Sequence, residues 1–194
     1  MASTTESEFV TRRWTRAEYE RLIDLGMFVG ERLELLAGLL VIGEPQSSIH
    51  AAIVAHLGQV LTAAFGPGWH ARLQGPVAVD DDSEPEPDVA MVTGRPFDYV
   101  DGHPSSAPLV IEIADASLQL DRRLKTALYA RARLPEYWIV NLVDRVIEVH
   151  RDPQPEPSAD LGAVYHSVEV LRAPALVSPL AAPAARVAVA DLLP

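Results

Sequence analysis

Between residues 48 and 66 the apolar positions Ile49, Ile53, Leu57, Leu61 and Ala64 recur at helical spacing. A serine stands ahead as a cap, and Gly66-Pro67 stands behind as a stop. Upstream, Thr15 to Glu18 has the form of a capping box opening a short helix through YERLID, closed by Gly26. RLELLAGLLVIGE then predicts a β-hairpin turning at Ala37-Gly38, with Glu34 on its first strand. Downstream, WHARLQGPVAVD (69–80) predicts extended chain, and the acidic turn DDDSEPEP leads into a strand, DVAMV. A Gly/Pro/Ser-rich loop separates that strand from LVIEIAD, an apolar run interrupted by one acid, as expected of a central strand. Leu120 to Arg133 predicts a helix, and EYWIVNL and RVIEVHR predict a hairpin turning at Val143-Asp144. The Pro/Ala-rich remainder holds one clear strand, YHSVEVL, and a weaker one near RVAVADL, with 152–160 expected as a mobile hairpin loop. There is no internal repeat. A polar segment at 1–14 precedes a single domain at 15–194, of the α/β (α+β) class with a mixed sheet.

Composition narrows the class of protein. At 194 residues and 48 % hydrophobic, the chain can bury one sizeable core, and a mean hydropathy of +0.09 argues against disorder. No apolar run approaches the ~20 residues of a membrane helix, and MASTTESEFVTRR lacks the apolar centre of a signal peptide. A cytoplasmic enzyme or binding domain is the expectation. The absence of cysteine excludes disulfides and thiolate chemistry. A net charge of −11 weighs against nucleic-acid binding, which draws affinity from neutralised phosphates, unless arginines gather locally or metal ions offset the acids.

Three positions carry candidate chemistry. Asp88 follows EPEP, where alternating prolines stiffen the chain into a strand, with Glu84 and Glu86 expected as a solvated lead-in. Glu112 lies inside VIEIA, where a carboxylate is costly unless something pairs with it. Lys125 is the only lysine among sixteen basic residues, which marks a place where a compact ammonium is wanted and a guanidinium is not. Asp121, Lys125 and Tyr129 follow at i, i+4 and i+8, forming a polar stripe beside Leu124 and Leu128. An ordinary Asp–Lys helix pair explains that stripe, and so does a helix folded back over the end of Glu112's strand. In the second case two carboxylates and a lysine form the minimal kit for Mg²⁺-assisted phosphodiester hydrolysis.

LELLAGLLV, His50 opening a helix, EPDVAMV, LVIEIADAS, DRRLKTALYARARLPEYWIV and RVIEVHR occur in an order and spacing that resembles the Uma-type restriction endonucleases, within the PD-(D/E)xK nuclease superfamily. The resemblance covers roughly residues 15 to 150, and the tail ending VAVADLLP also fits. It implies a restriction-endonuclease-like core, a mixed sheet flanked by helices, and DNA as substrate. It implies Asp88 and Glu112 as ligands of Mg²⁺ or Mn²⁺, Lys125 as the catalytic ammonium, Glu34 as an assisting acid, and His50 as a family histidine. In much of the superfamily a lysine stands two residues after the second acid, where this chain has Ala114. Asp115 stands where many members have serine, Ala37 where the hairpin turn usually has aspartate, and Asn141 where an aspartate follows YWIV.

Other features are weaker. His56, His70, His103, His150 and His166 show no metal-ligand spacing, and neither Ser117 nor Ser178 lies in a nucleophile elbow. Tyr137 and Trp138 read as core and interface aromatics rather than base-stacking platforms. Arg122, Arg123, Arg131 and Arg133 are the densest basic cluster, suited to phosphates or to a solvated helix face. The leading expectation is a metal-dependent endonuclease. The alternative is a non-enzymatic binding or assembly protein on the same fold, a homodimer using the YWIV edge. A carboxylate-pair glycosidase leaves the lysine without a task.

Overall fold

A computed structural model describes residues 11–43 and 46–193; the first ten residues of the polar N-terminal segment lie outside the described residues. Helix α1 (Arg16–Asp24) opens on the expected capping box, in which Thr15 and Glu18 exchange side-chain and backbone bonds. Strands β1 (Leu33–Leu36) and β2 (Leu39–Ile42) form an antiparallel hairpin. Its two turn residues, Ala37 and Gly38, both have positive φ, 48° and 76°, as a tight hairpin turn demands. Ala37 is therefore the less suited of the two, where aspartate or asparagine tolerates the left-handed region better.

Helix α2 (Ser48–Phe65) carries no charged residue and meets the length and composition of a membrane span. It serves here as the core helix of one sheet face, burying Ile53, Val54, Leu57 and Leu61. The sheet holds β3 (Trp69–Leu73), β4 (Val89–Thr93), β5 (Leu109–Ala114), β6 (Glu136–Asn141), β7 (Val146–Pro155) and β8 (Ala163–Leu171), in that spatial order. It is mixed: β5 and β6 are parallel, and every other neighbouring pair is antiparallel. Alternate residues divide between two cores. Val89, Met91, Ile111, Ile113, Trp138 and Val140 face α2, while Ala90, Val110, Tyr137 and Ile139 face a second helix. That helix, α3, is one continuous run of Leu118–Leu120, a wider π-helical turn at Asp121–Lys125, and Thr126–Arg131. It supplies the parallel crossover from β5 to β6. Short strands β9 (Leu176–Val177) and β10 (Val187–Ala188) and the final turn α4 (Val189–Leu192) close the α2 face.

Four expectations change. The extended stretch 69–80 is a strand only to Leu73, because Gln74 turns into the left-handed region at φ 49°. The loop expected at 152–160 begins later, at Glu156, since β7 reaches Pro155, and it runs on to β8 at Ala163. RVAVADL becomes a two-residue strand followed by a helical turn. YWIV is not an edge. β6 pairs with both β5 and β7 and is buried along its whole length, so a dimer cannot form there. An apolar run covered on both faces is the mark of a central strand.

Candidate active site

The C-terminal end of β5, the start of β4, the β1 hairpin and α3 converge on one cleft of about 370 Å³. Among the described residues six carboxylates line it: Glu34, Glu86, Asp88, Glu112, Asp115 and Asp121. Against them stand Lys125, Arg32 and the imidazole of His50. All four residues expected as catalytic, Asp88, Glu112, Lys125 and Glu34, therefore meet in one place.

Lys125 is the centre of the arrangement. Its ammonium, only 5 % exposed, donates to Glu112 Oε1 at 3.0 Å and lies 3.2 Å from Glu34 Oε2. The π turn explains how it gets there. Asp121 begins the wide turn, its carbonyl receives the Thr126 hydroxyl at 2.7 Å, and Lys125 is the last residue of the bulge. Asp121, Lys125 and Tyr129 are all buried, so the polar stripe is the inner face of the helix rather than a solvated one. Tyr129 donates to the same Glu112 oxygen at 2.7 Å. Burial opposes a charge on Lys125, but Glu112, Glu34 and Asp121 together outweigh it, and the lysine pKa rises. Lys125 is thus held as an ammonium.

Glu112, 4 % exposed, points from β5 toward α3. Burial pushes its pKa well above the usual carboxylate range, against the pull of Lys125. Glu86 and Asp121 are raised as well, again first by burial, with neighbouring acids adding to it. A single ammonium does not balance this many carboxylates.

Asp88 differs from the others. Its Oδ2 accepts the Ile113 backbone N–H at 2.8 Å, which ties the start of β4 to β5. Its Oδ1 accepts from His50 Nε2 at 2.7 Å and from Gln74 Nε2 at 3.1 Å. Burial alone would raise its pKa; the His50 bond and charge, then the Ile113 and Gln74 bonds, outweigh it and lower the pKa. Asp88 stays ionised, so the imidazole proton sits on Nε2. His50 reaches it from the first turn of α2, where Ser47 Oγ caps the His50 N–H.

Three features escaped the sequence reading. Gln74 holds Asp88 twice, once by its side chain and once through its N–H to the Asp88 carbonyl at 3.1 Å. The QG pair, at a place where a strand must turn, was the available signal. Glu86 is not solvated lead-in: it lines the cleft, and its N–H donates to Glu34 Oε2 at 3.0 Å. Glu84 is not solvated either. It is 4 % exposed, and its Oε2 has no hydrogen-bond partner among the described residues. Burial first, then the charge of Glu20, lifts it to about 7. A raised acid stabilises the fold fully below its unfolded pKa and loses that contribution as pH rises through 7. Glu84→Gln, which stays neutral and can donate to Glu20, is expected to gain about 1–3 kcal/mol over the parent at pH 8. The gain should vanish at pH 5, and urea denaturation at the two pH values measures it.

Asp115 is exposed at the rim. Of the arginine cluster, Arg122 is bound to Glu148 and Arg131 to Asp80 and Asp82, so neither is free for a phosphate. Asn141 bonds Glu148 and Asp144 within the β6–β7 turn. Tyr137 and Trp138 are fully buried core residues, as expected.

A six-stranded mixed sheet, with helices on both faces and an acid-and-lysine cleft beside β4 and β5, is a nuclease-like α+β fold. It matches the crystal structure of a “putative nuclease belonging to DUF820” from Anabaena variabilis ATCC 29413. The TM-score is 0.68 and the identity 17 %, over 92 % of this chain and 97 % of that one, a likeness that shows the fold. The chain belongs to the Uma2 family, described as “Putative restriction endonuclease”, whose pattern it matches over residues 16–190. No curated protein matches it.

Proposed function

We propose that this chain is a divalent-metal-dependent endonuclease acting on DNA, with Asp88 and Glu112 as metal ligands. The observation that carries this reading is the buried Lys125 ammonium held between Glu112 and Glu34, in a cleft whose remaining acids are under-neutralised. Hard oxygen donors in excess of positive charge suit Mg²⁺ or Mn²⁺. Both bonds that Glu112 accepts from described residues fall on Oε1, leaving Oε2 for a cation. Among the described residues no three acid or histidine side chains already stand together as a metal cage. Asp88 Oδ2 accepts the Ile113 N–H alone among the described residues, which leaves that oxygen a lone pair for a cation while His50 and Gln74 hold Oδ1.

A divalent ion bound there would lower the pKa of a water and stabilise charge on the phosphate. The chain's own groups do the rest. Asp88, fixed to β5 by the Ile113 N–H, sets the position of one ligand oxygen relative to Glu112. Lys125, as an ammonium, orients a water by donating to it and opposes negative charge that develops nearby. Glu34 keeps the ammonium in place, and the Glu86 N–H keeps Glu34 in place. Arg32 is the exposed guanidinium at the cleft wall and the natural contact for a phosphate.

Supercoiled plasmid incubated with the protein and Mn²⁺ or Mg²⁺ should be nicked, and excess chelator should stop it. A second reading, a binding or assembly protein on this fold, is favoured by the net charge of −11 and by the three hydrogen bonds already made to Asp88. Calorimetric titration separates the two: no Mn²⁺ binding at millimolar concentration sinks the nuclease reading.

A further inference from the structure

The two edges of the main sheet are built differently. β3 is five residues long and partly buried, and it runs between Gly66-Pro67-Gly68 and Gly75-Pro76. It is short and flanked by breakers, as guarded edges are. β8 is nine residues long, pairs among the described residues only with β7, and leaves residues 166–170 exposed one after another. Val168 and Val170 are 54 % and 56 % exposed on that strand. AVYHSVEVL contains no proline and no lysine, and its single charge is Glu169. The residues of β8 from His166 onward have negative φ, so no left-handed residue there bends the edge away. A long edge that exposes two valines and lacks these devices is a pairing surface.

We propose that β8 pairs antiparallel with β8 of a second copy of this chain about a two-fold axis at Val168, making one sheet continuous across a homodimer. The strand is self-complementary in that register. Val168 meets the partner's Val168, Ser167 meets the partner's Glu169, and His166 meets the partner's Val170. The only carboxylate thus faces a hydroxyl that can donate to it. Moving the axis to Glu169 would set two carboxylates directly opposite each other, an unfavourable cross-strand pair. Like edges joining by the same surface give a closed two-fold dimer, and the joined sheet then ends on both sides in the short, guarded β3 edge. The net charge of −11 acts between copies at longer range and is largely screened at about 0.15 M salt.

The cysteine-free chain makes the register directly readable. At 0.15 M salt the protein should sediment at twice its 21.1 kDa, and Val168→Lys should sediment at 21.1 kDa with an unchanged circular dichroism spectrum. Under mild oxidation Val168→Cys should form a disulfide-linked dimer, because residues directly opposite have Cβ atoms about 4.5–5.5 Å apart. Val170→Cys should not, because its two copies lie about 13 Å apart along the strands in this register. A monomeric wild type, a dimer that survives Val168→Lys, or cross-linking through Val170→Cys as readily as through Val168→Cys would each overturn the proposal. The disulfide test holds even if the lysine variant folds poorly.

Discussion

Lys125→Met is expected to slow metal-dependent nicking by about 10²–10³-fold, the range for loss of one preorganised charged donor. It is also expected to destabilise the fold by about 3–5 kcal/mol, the range for breaking a buried ion pair from one side. The two effects share a cause and can be separated. Methionine fills nearly the same volume, so little packing is lost, but Glu112 and Glu34 lose the ammonium that both contact. Glu112, already raised by burial, rises further without its partner. The sign of the pH dependence follows: a carboxyl with a raised folded-state pKa adds stability below its unfolded value and loses it as pH rises. The variant should therefore be closest to wild type near pH 5 and fall away toward pH 8. Adding Glu112→Gln to Lys125→Met removes the stranded carboxylate and should recover much of the stability with none of the activity. Urea denaturation at the two pH values, beside a plasmid-nicking rate, checks each half. Equal stability of Lys125→Met and wild type at pH 8 would mean that the ammonium is not holding these acids together.

The same residues show what the chain discloses before folding and what it hides. Glu112 and Lys125 stood out because each breaks a local rule: an acid within VIEIA, and one lysine in a chain that otherwise uses arginine. Such violations of local consistency collect at functional sites. Asp88 needed more, since an acid at the start of a strand is ordinary, and its place emerged from its relation to the other two. Glu84 and Glu86 were misread because proline stiffness says that a segment is extended and nothing about what covers it. The cover is the β1 hairpin, about fifty residues earlier in the chain, which pairs Leu35 with Glu84 and sets Glu34 against the Glu86 N–H. YWIV was misplaced for a related reason. Strong apolarity marks a strand, but only burial on both faces shows that it is interior, and the true open edge, YHSVEV, alternates more modestly. The π turn in α3 left no trace in the hydrophobic period, although the aim of Lys125 depends on it.

Asp88→Asn should abolish nicking and also erase any Mn²⁺-induced rise in melting temperature, while costing the fold no more than about 1–3 kcal/mol. Asparagine is isosteric, and its carbonyl oxygen can still accept the Ile113 N–H that ties β4 to β5. What it cannot do is present a negative oxygen to a cation, or accept on its amide nitrogen from both His50 and Gln74. Loss of the charge also reshapes the acid limb of stability. Asp88 has a lowered folded-state pKa, despite burial, because His50, the Ile113 N–H and Gln74 favour the charged form. It thus contributes stability above the ordinary carboxylate pKa of 3.8, and that contribution is lost as pH falls below it. In Asp88→Asn this part of the acid transition disappears, so the stability of variant and parent should converge as pH falls from 5 to 2. Asp88→Ala, which also leaves the Ile113 N–H unpaired, should be the less stable of the two at pH 7 while being equally inactive. An Asp88→Asn protein that keeps its Mn²⁺-dependent stabilisation would move the metal off β4, leaving Asp88 as the residue that fastens the start of that strand to β5 beneath Lys125.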